Sequence, residues 1–133
     1  MTVFVDTSAF YAVLDADDRQ HQPAKQQWMA LLDEAADLVC SNYIIVETTA
    51  LVQNRLGMEA VRTLQEDLLP VVRVEWVDEL VHRAGVTALL TAGRRHLSLV
   101  DCVSFDLMRR LGIRRAFAFD EHFAEQGFEV IPS

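Results

Sequence analysis

The 133-residue chain has few of the residues that mark several common protein classes. Its 5 glycines and 3 prolines are too few for a turn-rich β-sandwich or barrel to be the first expectation. Its two cysteines, Cys40 and Cys102, lie far apart in apolar segments and predict buried thiols, with neither disulfide nor zinc spacing. No uncharged apolar run approaches the roughly 20 residues of a membrane span, and Asp6 interrupts the first apolar run too early for a secretion signal. We therefore expect a cytoplasmic protein without membrane segments.

Positive charge is also scarce. The chain has 12 Lys and Arg against 20 Asp and Glu, a net charge of −8, and Lys25 is its only lysine. The arginines are unevenly distributed, because the segment from Arg94 to Arg115 contains six of them and only two acids. The net charge therefore neither excludes nor favours a nucleic-acid partner. Any contact with phosphate has to be local, or has to use a metal ion that reverses the sign of the field.

The remaining composition, 51% hydrophobic and 24% charged, is typical of a soluble globular protein. Its length predicts a single domain over residues 1–133. Apolar runs predict strands at 3–5, 38–40, 71–74, 116–119 and 128–131, and helical patterns occupy 9–14, 23–36, 43–56, 58–69, 78–91 and 99–111. In the second helix we expect Trp28, Leu31 and Leu32 to face the core. This alternation predicts an α/β three-layer sandwich with a central, mostly parallel sheet of four to five strands covered by helices on both faces.

Two acids follow predicted strands directly. Asp6 comes after Val3–Val5, and Asp120 comes after the apolar run 116–119. Ligands of parallel sheets bind at the carboxyl ends of the strands, which is where both side chains are expected. Each acid could also serve only as a helix N-cap, a position that Asp favours.

Glu47 and Asp101 lie in predicted helices. The residues one turn from Glu47 are aromatic or aliphatic, which predicts that its carboxylate is drawn towards the core: Tyr43, Ile44, Ala50 and Leu51. An unpaired buried carboxylate costs several kcal/mol, so Glu47 needs a cation or an arginine partner. Asp101 stands three residues after Ser98, a spacing that fits a capping box as well as a place at the sheet edge.

Together, the four acids point to a metal site. Carboxylates gathered at one edge repel each other by roughly 4 kcal/mol per close pair at 4 Å and an effective dielectric constant of 20. A divalent cation such as Mg²⁺ or Mn²⁺, which prefers oxygen ligands, offsets that repulsion. The histidines are scattered and show no zinc spacing, so we expect surface or capping roles for all of them: His21, His82, His96 and His122.

Two other folds with clustered acids fit the sequence less well. A phosphorylatable receiver domain would need a second acid beside Asp6 and a late lysine, but Thr7 follows Asp6 and Lys25 lies early. A phosphatase of the haloacid dehalogenase type would need an acid where Ser8 stands. Neither class is expected.

The ordered motifs Val5-Asp6-Thr7-Ser8-Ala9, Ser41…Glu47, Leu97-Ser98-Leu99-Val100-Asp101 and Phe119-Asp120-Glu121-His122-Phe123 span nearly the whole chain. In this pattern the sequence resembles the PIN-domain nucleases, and among them the VapC type of toxin from bacterial toxin–antitoxin pairs. The resemblance implies a PIN-like fold and cleavage of RNA with one or two Mg²⁺ or Mn²⁺ ions. It also implies a homodimer that is inhibited by a cognate antitoxin.

The resemblance further implies roles for individual residues. Asp6, Glu47, Asp101 and Asp120 would be the catalytic and metal-binding acids, and the hydroxyl of Ser8 would line the pocket. Apart from the resemblance, the arginines of the segment 94–115 are candidates for contacts with the RNA backbone, Arg94 and Arg95 foremost: Arg94, Arg95, Arg109, Arg110, Arg114 and Arg115. A solvated helix face with ion pairs explains each of them at least as well. The chain departs from many members of the family at Ala118, where they carry Thr, and at Cys102, where they carry Ala. The alternative reading is a catalytically silent PIN-like module that binds RNA or a protein.

Overall fold

Five short strands form one sheet at the centre of the fold. The computed structural model describes residues 1–133 and places the strands at β1 Thr2–Val5, β2 Asp37–Ser41, β3 Arg73–Glu75, β4 Arg115–Phe117 and β5 Glu129–Ile131. Their order across the sheet is β3-β2-β1-β4-β5. All four neighbouring pairs are parallel, and β1 pairs Val3 with Leu38 on one side and with Arg115 on the other.

Seven α-helices connect and cover the strands. They are α1 Thr7–Leu14, α2 His21–Asp33, α3 Asn42–Leu56, α4 Met58–Thr63, α5 Glu79–Ala92, α6 Leu99–Leu111 and α7 His122–Glu125. Strands β2 and β3 lie on one side of β1 in the sheet, and strands β4 and β5 lie on its other side. Because crossovers between parallel strands are right-handed, helices α1–α4 cover one face and α5–α7 cover the opposite face. The predicted three-layer α/β architecture is confirmed.

The core lies on both faces of β1. Val3, Phe4 and Val5 are fully buried, as expected for a central parallel strand that helices cover from two sides. The ring of Phe4 packs near that of Phe123 in α7, with their centroids 6.4 Å apart. This continuous apolar strand carries the chain directly to Asp6, so the position of that carboxylate is set by the most buried part of the molecule.

Some predicted details are wrong. Helix α2 begins at His21 and ends at Asp33, and Leu32 is 38% exposed while Trp28 and Leu31 are buried. The predicted helix 58–69 ends as an α-helix at Thr63. It continues as a π-turn over Leu64–Leu68 and a 3₁₀ turn over Leu69–Val71. Pro70, which has no backbone N–H, lies in that last turn, and strand β3 consequently starts only at Arg73.

Capping residues mark the ends of several helices. The hydroxyl of Ser41 caps α3 by accepting from the amide of Ile44 at 3.2 Å, and Asp78 caps α5 by accepting from Val81 at 2.9 Å. Gly112 ends α6 with a φ of 70°, a left-handed conformation that glycine adopts without steric cost. Local sequence signals therefore determine where these helices start and stop.

Two further expectations can be checked directly. Cys40 and Cys102 are both buried free thiols, as predicted. None of the helices combines the length and the apolar character that crossing a membrane requires.

Candidate active site

The strand order reverses between β1 and β4, and the two acids that follow these strands meet at this point. Asp6 extends from β1, and its amide donates to the carbonyl of Phe117 in β4 at 3.0 Å. Strand β4 ends at Phe117, two residues before the predicted end at Phe119, so Asp120 does not follow the strand directly but lies three residues beyond it. Crevices at such reversal points are the usual ligand sites of parallel sheets.

Ser8 holds the Asp6 carboxylate in place. Asp6 is the N-cap of α1, and its Oδ2 accepts from the amide of Ser8 at 3.1 Å and from the hydroxyl of Ser8 at 2.6 Å. The same hydroxyl accepts from the amide of Phe119 at 2.9 Å. Ser8 therefore links the start of α1 to the segment that follows β4. The Asp6 side chain both caps α1 and contributes its carboxylate to the site.

Asp101 is oriented by the capping box that its spacing from Ser98 predicts. The hydroxyl of Ser98 accepts from the amide of Asp101, and Oδ2 of Asp101 accepts from the amide of Ser98, both at 3.0 Å. Asp101 is 8% exposed, although it lies in the first turn of α6. The capping box leaves its other oxygen, Oδ1, free to face the sheet edge.

Asp120 is fixed by the start of α7 and lies beside a histidine. Its Oδ1 accepts from the amide of His122 at 2.8 Å. Ligand atoms of Asp101, Asp120 and His122 all lie within 4.8 Å of one another. His122 is buried, so the predicted surface or capping role is wrong for this histidine. Its position results from contacts between α7 and the loop before α6, which the local sequence does not show.

The hydrogen bonds of His122 define what its ring contributes. Nε2 lies 3.2 Å from the carbonyl of His96 and 4.0 Å from Oδ1 of Asp120. A carbonyl only accepts, so Nε2 carries a proton and donates to His96. The buried Nδ1 has no hydrogen-bond partner and faces Oε2 of Glu125 at 3.6 Å. The oxygen atoms of the carboxylates are thus the ligands that this cluster offers.

Glu47 lies at the rim of the same edge, on α3. The side chain is half-buried and forms no ion pair, so the arginine partner considered from the sequence is absent. The hydroxyl of Thr48, the next residue of α3, donates to that of Thr7 in α1 at 2.9 Å. This hydrogen bond ties the part of α3 that carries Glu47 to the helix that starts at Asp6.

The electrostatics show that the four acids share one environment. Burial raises the pKa of Asp6 to about 7, and the charges of Asp101 and Asp120 add to the rise against the hydrogen bonds from Ser8. Burial also raises the pKa of Glu47, and the same two charges act on it. The pKa of Asp101 is raised mainly by burial and further by Asp120.

Burial would lower the pKa of His122, but nearby Asp120 and the His96 carbonyl raise it overall. No arginine or lysine pairs with any of the four carboxylates. The cationic group beside them is the imidazole of His122 when it is protonated, with Nε2 4.0 Å from Oδ1 of Asp120, so one positive charge at most faces the acids of this edge.

This donor set fits a hard divalent cation. Carboxylate oxygens suit Mg²⁺ and Mn²⁺, whereas the edge offers none of the thiolates and paired imidazoles typical of zinc. The two positions that depart from the family pattern, Ala118 and Cys102, are buried apolar neighbours and remove no carboxylate. Asp101 and Asp120 form the close cluster with His122, and the buried Asp6 and the half-buried Glu47 are coupled to it by charge. With no arginine or lysine partner for these acids, the edge is a candidate metal centre.

The arginine-rich segment is only partly at this edge. Arg94 and Arg95 lie in the loop between α5 and α6, where Nη1 of Arg94 binds Oε2 of Glu125 at 2.9 Å and Arg95 is exposed without a partner. Arg110 pairs with Asp106, and Arg115 pairs with Glu129. The turn of Arg94 and Arg95 contacts α7 beside Asp120, and Arg94 is engaged there in an ion pair.

Sequence comparison places this arrangement among known proteins. The pattern described as the PIN domain matches residues 3–129. The protein named 23S rRNA-specific endonuclease VapC20, from Mycobacterium tuberculosis strains CDC 1551 / Oshkosh and ATCC 25618 / H37Rv, is 37% identical to this chain over 132 residues. The alignment covers 98% of each sequence.

Solved structures agree with the sequence match. The crystal structure of Mycobacterium tuberculosis VapC20, described as a sarcin–ricin loop cleaving toxin, superposes with a TM-score of 0.85, 35% identity and coverage of 95% of both chains. FitAcB from Neisseria gonorrhoeae shares the fold at a TM-score of 0.68 and 16% identity, covering 98% of this chain and 96% of that one. A matched sequence pattern that spans all four acids, with a relative of nearly equal length, leads to one conclusion: the chain belongs to the PIN domain family and stands close to its VapC-type members.

Proposed function

We propose that residues 1–133 form a single nuclease domain that cleaves RNA phosphodiester bonds in a Mg²⁺- or Mn²⁺-dependent reaction. The observation that carries the proposal is the buried carboxylate of Asp6, which lies among the charges of Asp101 and Asp120 and has no arginine or lysine partner. A purely structural role does not explain why a fold would keep this repulsion. Similarity over 98% of the chain to a protein named as an endonuclease supports the same activity.

Asp6, Asp101 and Asp120 would hold one or two metal ions, with Glu47 binding through water or orienting the attacking water. A bound divalent cation supplies activation of water and neutralises charge on the attacked phosphodiester. The chain's own contribution is to hold the carboxylates, since Ser8 orients Asp6 and the Ser98 amide orients Asp101. Glu47, with its raised pKa and its open position at the rim, is placed to accept a proton from water.

The proposed substrate class is a structured RNA loop. The relative at 37% identity is named for 23S rRNA, and its crystal structure is described as that of a sarcin–ricin loop cleaving toxin. Unpaired loop bases are the part of RNA that proteins read most readily. We define the probe for the experiments below as a synthetic RNA hairpin that carries the sarcin–ricin loop, here called the loop RNA. Ser8 and the turn that carries Arg94 and Arg95 form the proposed substrate-contacting part of the chain.

The biological role that we propose is that of a cytoplasmic toxin in a VapBC-type toxin–antitoxin pair. The supporting observation is again the VapC20 relative, whose structure is described as a toxin. The acidic edge is complementary to a cationic side chain, so an antitoxin that presents an arginine would fit it. Exposed aliphatic side chains on α3 and α5 are suited to a homodimer interface: Val46 at 69%, Leu80 at 64% and Leu90 at 75% exposure.

Cleavage of the loop RNA tests the activity. The wild type should cleave with Mg²⁺ or Mn²⁺ and should be inactive in EDTA. Asp6→Asn should lower the cleavage rate by more than about a hundredfold. That is the upper end of the loss seen when a residue that only supports a metal ligand is removed, and Asp6 is proposed as a ligand itself. Asp67→Asn is the matched control, because Asp67 is an exposed acid outside the site. If the wild type binds the RNA without cutting it under these conditions, the chain is a silent binding module and the proposed activity is wrong.

A further inference from the structure

The loop between α5 and α6 forms a tight turn beside the acidic edge. The amide of Leu97 donates to the carbonyl of Arg94 at 3.3 Å, which places Arg95 and His96 at the two central positions. Leu97 is buried and anchors the turn in the core, while Arg95 is exposed at its tip. The turn therefore presents Arg95 to solvent, while the buried Leu97 fixes the end of the turn.

Helix α7 holds this turn at two points. Nε2 of His122 donates to the carbonyl of His96 at 3.2 Å. One turn later on the same helix, Oε2 of Glu125 accepts from Nη1 of Arg94 at 2.9 Å. The same Nε2 atom lies 4.0 Å from Oδ1 of Asp120, so the His96 backbone is close to the last acid of the site. The turn is thus tied to the helix that follows the last acid of the site.

This arrangement divides the roles of the two arginines. The charge of Arg94 is offset by Glu125, which also faces Nδ1 of His122 at 3.6 Å. Arg95 has no acidic partner, so its guanidinium is free to bind an anion. Of the six arginines between Arg94 and Arg115, the only other one without a side-chain partner is Arg114, which precedes β4 at the opposite edge of the sheet.

We propose that Arg95 is the residue that contacts an RNA phosphate next to the cleaved bond, and that Arg94, Glu125 and His122 are positioning residues that clamp its turn. This inference rests on the proposed ribonuclease activity and assigns separate roles to residues of the same site. A chain with a net charge of −8 repels RNA, so a single free guanidinium at the rim of the acidic edge has a large local effect. A turn fixed before binding lowers the ordering cost of the contact.

The first test compares Arg95→Ala with Arg114→Ala, a matched loss of an exposed and unpaired arginine at the opposite edge. Binding of fluorescent loop RNA is measured by anisotropy in EDTA over a range of salt concentrations. Loss of one phosphate contact should reduce the slope of log Kd against log salt by about 0.7 and weaken binding about fivefold at 0.1 M salt. Arg114→Ala should match the wild type, and Arg95→Lys should retain most of the affinity. Equal behaviour of the two alanine variants would overturn the assignment of Arg95.

The second test asks whether Glu125 acts through Arg95. Arg95→Ala is measured in the Glu125→Ala background, where the ion pair with Arg94 is lost, only His122 still ties the turn to α7, and the contact of Arg95 should be weakened. We expect a further effect of less than about twofold there, against about fivefold in the wild type. In Mg²⁺ the same variants should raise KM and leave kcat close to the wild-type value. An Arg95 effect of full size in both backgrounds would contradict the clamp.

The third test concerns Arg94. If this residue only anchors the turn, Arg94→Ala adds nothing to Glu125→Ala. If Arg94 binds phosphate itself, its removal weakens binding further when Glu125 no longer holds it, and the division of roles is wrong. Thermal unfolding confirms that each variant is folded. Cleavage by the wild type in Mg²⁺ distinguishes failure of the Arg95 assignment from failure of the proposed ribonuclease activity. A wild type that cleaves, with Arg95→Ala equal to Arg114→Ala, refutes this inference alone, whereas a wild type that does not cleave refutes the proposed function.

Discussion

Replacing Asp6 by Asn is expected to stabilise the metal-free protein at neutral and alkaline pH. The pKa of Asp6 rises from its ordinary value of 3.8 to about 7 because the carboxyl is buried beside Asp101 and Asp120. Each unit of difference between the folded and unfolded pKa is worth about 1.36 kcal/mol, so ionised Asp6 costs the fold about 4 kcal/mol at pH 8. Asparagine keeps the shape and can still cap α1, but it carries no charge.

The sign of the pH dependence follows from the raised pKa. Well below pH 3.8 the carboxyl is protonated in the folded and the unfolded chain, and wild type and Asp6→Asn should have similar stability. Between about pH 4 and pH 7 the unfolded chain loses its proton first, so the wild type loses stability as the pH rises. Above pH 7 both states are ionised and the difference reaches its full value.

Urea unfolding in EDTA at several pH values between 4 and 8.5 measures this difference, with Asp67→Asn as the exposed control. Addition of Mg²⁺ should reverse the ranking, because a cation that binds only the folded wild type stabilises it by mass action. The reasoning is refuted if Asp6→Asn is no more stable than the wild type at pH 8, or if its gain is the same at pH 4.5 and pH 8.

Three further substitutions test parts of the scaffold by urea unfolding. Ser8→Ala should destabilise by about 1.5–3 kcal/mol, since it removes the 2.6 Å hydrogen bond to Asp6 and leaves the Phe119 amide unpaired; a loss below 0.5 kcal/mol would contradict that role. Ser98→Ala should cost about 1 kcal/mol as the N-cap of α6 is lost, and an unchanged midpoint would count against the capping box. Gly85→Ala should cost about 1–3 kcal/mol, because its Cβ would lie 2.5 Å from Cγ2 of Val103, and Val103→Ala should restore part of it. No recovery in that double variant would mean that the clash has another origin.

The placement of Asp6 was predictable because it depends on a local pattern. An apolar run of three residues predicted a buried strand, and the acid that follows such a strand lies at its carboxyl end wherever the strand stands in the sheet. Asp101 was predictable for a similar reason, since a Ser three residues earlier signals a capping box. These inferences need only neighbours in sequence, which is why the structure agrees with them.

His122 and Glu125 could not be placed from the sequence in this way. Their position depends on α7 packing against the loop before α6, a contact between segments about 26 residues apart, and no local spacing encodes it. The π-turn at Leu64–Leu68 was missed for a different reason. The apolar periodicity of residues 58–69 fits an α-helix. It does not show that the helix widens by one residue per turn at Leu64–Leu68, just before Pro70.

The most direct measurement is anomalous diffraction from a crystal soaked in Mn²⁺. We expect a manganese peak at the carboxyl edge of β1 and β4, in contact with carboxylate oxygens of Asp6, Asp101 or Asp120, and no such peak in Asp6→Asn/Asp101→Asn. A wild-type crystal that shows manganese only elsewhere, from protein that cleaves the loop RNA in Mn²⁺, would contradict the claim that these acids form the metal centre.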